Sequence, residues 1–427
     1  MNNKIVLVFL ILFALHSYFV FGSFESDPNQ KVLQELKARG GLPNFFTKAL
    51  HEDSIKVAYL GGSITAQDGW RVYSLEWLGK QFPKSKFTEI NAAIGGTGSD
   101  LGVYRLYEHV LKFNPDLIFV EFAVNDFSRD PEVILRSMEG IVRRIWQQNS
   151  LTDICFIYTI TDKLMEIEQN GELPASIITM EKVADYYNIP SVNVGLKVSK
   201  MVASKQLIFK GATKEMNGVK VFSPDGVHPY PETGHLIYHE ALIRSFKILA
   251  NGIQSGTKKH IMAKPLASDN LSEAQMVDFT QGKLSENWQI LQINDQSPFL
   301  NFRKYFQKIG KASLSGETLT IRFKGKAIGA YDFMGPDAGK VIVEIDGIVK
   351  DTIPRFDEYC TYRRMNYFLI DHLEDKDHLV VFRLLAEPFD KAAILSKRGE
   401  IIRDSAEYKE NNWYIGKILM DGKMIKE

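Results

Sequence analysis

Two stretches of this chain carry residue types that together can move an acyl group. Val57-Ala58-Tyr59-Leu60-Gly61-Gly62-Ser63-Ile64-Thr65 places a serine after a short apolar run and two glycines. The run reads as a buried strand and the glycines as its end. A hydroxyl there lies at the carboxyl end of a strand, on a rigid element and close to unpaired backbone N–H groups. Ser223-Pro224-Asp225-Gly226-Val227-His228-Pro229 places an aspartate and a histidine three residues apart on one turn. Asp225 could then fix the imidazole tautomer of His228, and the ring could take a proton from Ser63. Both stretches also have a plain structural reading. Gly-Gly-Ser turns follow many strands, and aspartate stabilises turns by bonding nearby backbone.

Two more segments could complete such a site. Asn91-Ala92-Ala93-Ile94-Gly95-Gly96-Thr97-Gly98 is a glycine-rich turn before a helix, where backbone can approach a ligand closely and leave an N–H free to donate. No Gly-Lys-Ser/Thr follows, so a phosphate loop is excluded. Phe122-Ala123-Val124-Asn125-Asp126 ends another apolar run, and Asn125 could aim its amide at the same space or simply cap the loop. No HExxH and no clustered Cys/His spacing is present, so no metal and no cofactor is expected. His109, His235 and His239 fall on helical stretches and read as structural or surface residues.

These positions need a scaffold, and the hydrophobic pattern supplies one. Strand-like runs at Lys56–Leu60, Phe87–Ile94, Leu117–Phe122, Ile154–Ile160 and Ser191–Val194 alternate with helical stretches near Val72–Gln81, Leu101–Phe113, Val133–Gln148 and Ala175–Tyr187. Helical spacing is also read at Lys31–Lys37 and Asn44–His51, and His235–Asn251 closes the unit. Such alternation implies right-handed crossovers and a three-layer α/β/α, flavodoxin-like parallel sheet covered on both faces. After a polar connector the signals become strands. Leu319–Phe323, Val341–Ile345 running into Asp346-Gly347, His378–Leu385 and Trp413–Met420 predict an all-β, jelly-roll-like sandwich, with a long loop or partial helix over Glu387–Glu410.

The chain has 427 residues, which makes two domains the default. Its 52 basic and 52 acidic residues cancel, so no general attraction to nucleic acid is expected. Lys4 followed by the apolar run Ile5–Phe21 and Gly22 has the layout of a secretory signal peptide. Cleavage there would leave no stable membrane insertion, and the protein would be secreted or periplasmic; an uncleaved anchor is the competing reading. Only Cys155 and Cys360 are present, so no disulfide framework exists, and Cys155 in an apolar run reads as a buried, inert thiol. The expected organisation is a signal peptide at 1–22, an α/β domain carrying Ser63, Asp225 and His228 at 24–251, a linker at 252–264 and a β-sandwich at 265–427. Each half is expected to hold its own core, with the sandwich supplying none of the reacting side chains. Tyr362 and Arg363, in Asp357-Glu358-Tyr359-Cys360-Thr361-Tyr362-Arg363-Arg364, could bind substrate by stacking on sugar rings, or could be strand packing and a solvated edge.

The order Ser, Asp, His is that of an α/β-hydrolase, but that family needs Gly-x-Ser-x-Gly and position 65 is threonine. Over residues 53–250 the chain instead resembles the SGNH hydrolase superfamily, the GDSL-like esterases. Gly61-Gly62-Ser63-Ile64-Thr65 is similar to the first family block, Asn91–Gly96 to the second, Ala123-Val124-Asn125-Asp126 to the third and Asp225-Gly226-Val227-His228 to the last. The resemblance implies a triad of Ser63, His228 and Asp225 and an oxyanion hole from the N–H groups of Ser63 and Gly96 and the Asn125 amide. Two departures stand out, Gly62 where the family has aspartate and Ala123 where it has glycine. The resemblance further implies a secreted esterase removing short acyl groups, O-acetyl above all, from an acylated glycan or other small ester. A polysaccharide O-acetyltransferase with the same triad, or a non-catalytic glycan-binding or surface-assembly protein, are the alternatives.

Overall fold

A computed structural model of the chain describes residues 33–51, 54–251 and 256–425. The expected signal peptide lies outside the described residues, and so do positions 252–255 of the expected linker. The first part of the chain builds a six-stranded sheet from β1 (Leu36–Lys37), β2 (Ser54–Gly61), β3 (Lys86–Asn91), β4 (Leu117–Glu121), β5 (Asp153–Tyr158) and β6 (Ser191–Asn193), in the order β1-β6-β5-β4-β2-β3. The five strands β2 to β6 pair in parallel. β1 runs antiparallel at the edge, Leu36 opposite Val192. The helical spacing over Lys31–Lys37 therefore misleads at its end, because β6 offers Leu36–Lys37 a sheet edge and that pairing overrides local propensity.

Burial on both faces explains why these strands lack polar alternation. Every residue of β4 and β5 is buried. Along β2, Val57 and Tyr59 face one apolar cluster while Ala58 and Leu60 face the other. Trp70–Gln81, Leu236–Asn251 and Pro43–His51 cover the first side. Ser99–Tyr104, Pro131–Gln148 and Ala175–Tyr187 cover the second. The single helix expected over Leu101–Phe113 is three short pieces, Ser99–Tyr104, Leu106–His109 and a 3-10 turn at Leu111–Phe113, with a break at Arg105. Helices at Asp162–Gln169 and Gly195–Ala203 went unanticipated, and so did a small sheet of Ile208–Lys210, Glu215–Met216 and Val219–Ser223.

The second part is antiparallel throughout its strand pairs, organised on the long strand Thr318–Met334. That strand pairs with Arg364–Ile370, Lys376–Leu385 and Trp413–Met424. Asp346 and Gly347 have φ of +55° and +78°, the two left-handed positions a tight hairpin needs between Lys340–Ile345 and Ile348–Pro354. Within Glu387–Glu410 lie a helix, Lys391–Ser396, and a 3-10 turn, Ser405–Tyr408.

Each part holds an apolar core of its own, and the two also share a third. The shared cluster joins Leu101, Val103, Tyr104, Ile134 and Met138 to Leu271, Ala274, Phe306, Tyr331 and Leu419. Ser99–Tyr104, buried along its whole length, packs on Ala274–Asp278 and Trp413–Met424. Gly140 lets Pro131–Gln148 approach this seam, since a Cβ there would stand 2.8 Å from the Leu271 backbone. Arg136 crosses the seam too, with Nη1 and Nη2 on the two Asp371 oxygens at 2.8 and 3.1 Å and Nε 2.7 Å from Asp269.

Burying one such side chain is worth ~1.5–3 kcal/mol, and Leu101, Val103, Tyr104 and Leu106 alone then approach the ~5–15 kcal/mol total stability of an ordinary domain. Residues 24–260 expressed without the sandwich are accordingly expected to bind a hydrophobic dye and to melt without a cooperative transition, while the full chain melts sharply. Calorimetry with dye binding distinguishes the two, and a dye-silent, sharply melting truncation would mean the seam contributes little.

Candidate active site

Ser63 opens a four-residue helix, Ser63–Ala66, directly after β2. Its own N–H is one of the helix's first donors, which have no acceptor within the helix. The turn that delivers it has no room for side chains. A Cβ at position 61 would stand 2.8 Å from both the Glu121 carbonyl oxygen and Thr65 Oγ1, and one at position 62 would collide with Asn125 Oδ1. Gly62, the departure from the usual aspartate, thus lets the Asn125 amide lie against the peptide that precedes Ser63.

His228 reaches Ser63 from the other end of the domain. Val219–Ser223 leads into the Asp225 turn, where Asp225 Oδ1 accepts the N–H groups of Val227 (2.9 Å) and His228 (2.8 Å). Gly226 takes φ +87°, which closes the turn without a Cβ penalty. The remaining Asp225 oxygen, Oδ2, lies 2.7 Å from His228 Nδ1, and His228 Nε2 lies 2.9 Å from Ser63 Oγ. Those partners assign the ring: Nδ1–H donates to the carboxylate and Nε2 accepts from the serine hydroxyl. Burial pushes the Asp225 pKa upward, but bonds from the His228 ring, from the His228 and Val227 backbone and from Ser223 outweigh it. The carboxyl is held well below the usual range and stays charged.

The two glycine-rich and asparagine-bearing turns meet beside the serine. Ala92 N–H donates to Tyr59 O and Ile94 N–H to Gly61 O, both at 3.0 Å, so the β3 turn stays laddered to β2. Gly95 sits against Ser63, whose Cβ a methyl there would meet at 3.4 Å, and Gly96 takes φ +73°. Asp126, next to Asn125, accepts the Ser99 N–H on both oxygens (3.1 and 3.3 Å) and so ties the two turns together. Arg129 adds a contact to Asp100 at 2.6 Å and one to Asp126 at 3.3 Å. The sandwich enters here: Tyr367, on Arg364–Ile370, donates to Asp100 Oδ2 (2.5 Å) and accepts from Arg129 Nη2 (2.8 Å).

Sequence reasoning passed over Asp100, Arg129 and Tyr367, as well as Arg105 and Glu121. The last two carried a readable signal, since each is a charge inside an apolar run, where an unpaired charge is expensive. Tyr362 is 58% exposed. Arg363 is committed within the sandwich, bonded to Asp337 and lying 4.4 Å over the Tyr414 ring and 4.8 Å over the Phe299 ring. Neither is hydrogen-bonded to Ser63, Asn125, Asp225 or His228. Cys155 and Cys360 are both buried, and burial raises both thiols, Cys360 to about 12, so neither is a reactive thiolate.

Residues 59–233 match the model of the GDSL-like Lipase/Acylhydrolase family. The chain is similar in structure to a two-domain esterase (CEX) active on acetylated mannans, co-crystallised with mannopentaose, at 20% identity and a TM-score of 0.68, covering 92% of this chain and 97% of that one. The same esterase without the oligosaccharide gives 20% identity and a TM-score of 0.68 over 91% and 97%. A lipase/acylhydrolase from Enterococcus faecalis matches at 18% identity over 49% of this chain and 100% of that one, with a TM-score of 0.34. Comparison with curated proteins returns no match. The α/β part thus has the SGNH fold, its residues 59–233 match the GDSL-like family, and an antiparallel β-sandwich follows it in the chain.

Beside the serine turn, His235 is fully buried and holds that region from below: Nδ1 accepts Trp70 N–H at 3.2 Å and Nε2 lies 3.2 Å from Gln67 Oε1. Burial first, then the nearby Arg71 and His228, lowers its pKa to about 4, and burial lowers His109 to about 3. An unfolded imidazole titrates near 6.5, so between about pH 6.5 and 4 the unfolded chain takes up protons that the folded chain refuses. Stability is therefore full above that window and falls as pH drops through it, by at most ~1.4 kcal/mol per pH unit for each group. His235→Gln should flatten the dependence of melting temperature on pH from 6.5 to 4.5. An unchanged slope would mean that His235 protonates freely in the fold.

Proposed function

We propose that this protein is an exported serine esterase that removes O-acetyl groups from a polysaccharide through Ser63, His228 and Asp225. The observation that carries the reading is the unbroken chain of contacts from Asp225 Oδ2 to His228 Nδ1 and from His228 Nε2 to Ser63 Oγ, at 2.7 and 2.9 Å. Ser63 Oγ attacks the ester carbonyl carbon while His228 Nε2 takes its proton. The developing oxyanion is received by the N–H groups of Ser63 and Gly96 and the side-chain amide of Asn125. Losing one such donor typically costs about 3 kcal/mol of transition-state stabilisation. The imidazolium, paired with the charged Asp225, returns the proton to the leaving sugar hydroxyl. Water then repeats the sequence on the acyl-enzyme and releases acetate.

Two features support hydrolysis over acyl transfer to a second sugar. The Asp225 and His228 side chains are 51% and 35% exposed, so water has access to the base. An acyltransferase must instead keep water from its acyl-enzyme. The glycan is supported by likeness: a fold matched across both domains, over 92% of this chain, belongs to an esterase active on acetylated mannans. Export is supported by the apolar leader at Ile5–Phe21.

Ser63→Ala should lower kcat on p-nitrophenyl acetate by at least about 1,000-fold with the melting temperature unchanged, since single losses within such a unit remove nearly all the chemistry. The full chain should release acetate from acetylated mannan. Retained turnover in the alanine variant would defeat the mechanism. Activity confined to the small ester would defeat the substrate assignment alone.

A further inference from the structure

A cleft of about 890 Å³ opens between the α/β part and the sandwich, within the ~300–1,000 Å³ of ordinary ligand sites. Residues 88–92, on and just after β3, form part of one wall, and Gln292 with residues 303–308 of the sandwich forms part of the other. β3 is the last strand of its sheet, and Gln289–Gln292 is the last of the sandwich sheet. Both walls thus end in strand edges, where backbone groups are left without ladder partners. None of Ser63, Asn125, Asp225 or His228 lines this space. The chain as a whole is neutral, with 52 basic and 52 acidic residues, but the cleft is not. Six cations line it, Lys56, Lys112, Arg303, Lys304, Lys308 and Lys417, against three carboxylates, Glu89, Glu108 and Asp278.

The three carboxylates are already committed. Glu89 pairs with Arg71, which lies outside the cleft, and Glu108 pairs with Lys112 at 3.1 Å. Asp278 is shared between Lys308 at 3.2 Å and Lys417 at 3.6 Å. The Lys56 ammonium bonds the Phe113 carbonyl, at 2.9 Å, rather than a carboxylate. Lys304 has no carboxylate partner among the described residues and lies 5.5 Å from the centroid of the Tyr305 ring. Burial first, and then Arg105, Lys112, Lys304 and Lys417, push the His109 imidazole on the cleft wall down to about 3. Each wall also carries a ring with an ammonium beside it, because Lys112 lies 5.2 Å from the centroid of the exposed Phe113 ring. Gln292 and Gln307 add planar amides. A ring, an adjacent cation and a planar amide together match a pyranose with an apolar face, a carboxylate and neighbouring hydroxyls.

We infer that this cleft is a second glycan site, which holds a uronate-bearing chain with its carboxylates on Lys56 and Lys304 and its sugar faces on Phe113 and Tyr305. Two such stations, one on each wall, suit a polymer with charges spaced along it rather than a single compact anion. The wall from Thr88 to Ala92 runs ~13 Å at the rise of a strand, which gives such a chain length to lie along. The choice of a sugar among polymeric anions rests on the esterase reading, whereas the binding itself does not use Ser63. On a substrate carrying both uronates and O-acetyl groups, the cleft would raise the local concentration of ester at the enzyme.

The test is calorimetric titration of the full chain with a hexamer of galacturonic acid in ~50 mM salt, where exposed charges are only partly screened. The hexamer is expected to bind, and to bind more weakly as salt is raised. The same hexamer with its carboxyls methyl-esterified should not bind. Lys304→Glu should weaken the uronate chain by ~10-fold or more, because repulsion replaces a charge-assisted hydrogen bond. Lys304 is exposed, so the variant should keep its melting temperature and its kcat on p-nitrophenyl acetate. A hexamer that fails to bind at millimolar concentration would overturn the inference. Equal affinity for the methyl ester, or in Lys304→Glu, would overturn it too. Polyglutamate of the same charge binding as tightly would reveal a general polyanion surface and overturn the assignment to a sugar. Ser63→Ala should bind the hexamer as wild type does. An inactive Ser63→Ala in a protein that ignores the hexamer would sink the cleft and leave the proposed chemistry standing. An active Ser63→Ala that still binds it would do the reverse.

Discussion

The tightest constraint in this protein is the turn between β2 and Ser63. A serine at the end of a buried parallel strand must leave the sheet within two residues to reach a histidine from elsewhere in the chain. Here the Glu121 backbone and the Asn125 amide crowd the turn so closely that neither position 61 nor 62 can carry a Cβ. Two glycines make the approach possible, but glycine brings backbone freedom that must then be removed. Arg105 on the Gly61 carbonyl and Glu121 on the Thr65 hydroxyl hold the turn, at the cost of burying both side chains.

That cost helps explain why the second domain is fused so closely to the first. Ser99–Tyr104 and Leu106 need apolar cover, Arg105 needs dry surroundings, and the sandwich supplies both through the shared cluster around Phe306, Tyr331 and Leu419. Tyr367 extends the same seam to the polar rim of the site, where it bridges Asp100 and Arg129. The sandwich contributes no member of the Ser63, His228 and Asp225 set, yet it backs both turns that flank the serine. An accessory domain attached by a loose linker would leave Ser99–Tyr104 facing water.

The site divides into a rigid rear and an open front. Behind Ser63, Thr65, Arg105, Glu121 and His235 are buried and hydrogen-bonded, while Asp225 and His228 stand on an exposed turn held by its own backbone. The division fits the hydrolysis proposed above. Donors aimed at an oxyanion gain most when fixed and dry, whereas the base must admit water to release the acyl group.

Much of this was determined by the sequence alone, because the signals are local. Alternating apolar runs specify a parallel sheet, Asp346-Gly347 specifies a hairpin, and each of the four short motifs sits at a strand end or tight turn whose backbone needs those residue types. The spacing of Asp225 and His228 already contains their contact, since the turn between them is only three residues long. What the tertiary structure decided is everything that depends on distance across the fold. Leu36–Lys37 became a strand because β6 had a free edge, and the break at Arg105 is not written in the periodicity of Leu101–Phe113. Arg105 and Glu121 each look like a misplaced charge when read singly. Arg105 reaches the Gly61 carbonyl across 44 positions and Glu121 the Thr65 hydroxyl across 56, and neither contact leaves a mark in the local pattern. Tyr367 meets Asp100 across 267 positions, and only packing the sandwich on Ser99–Tyr104 brings them together.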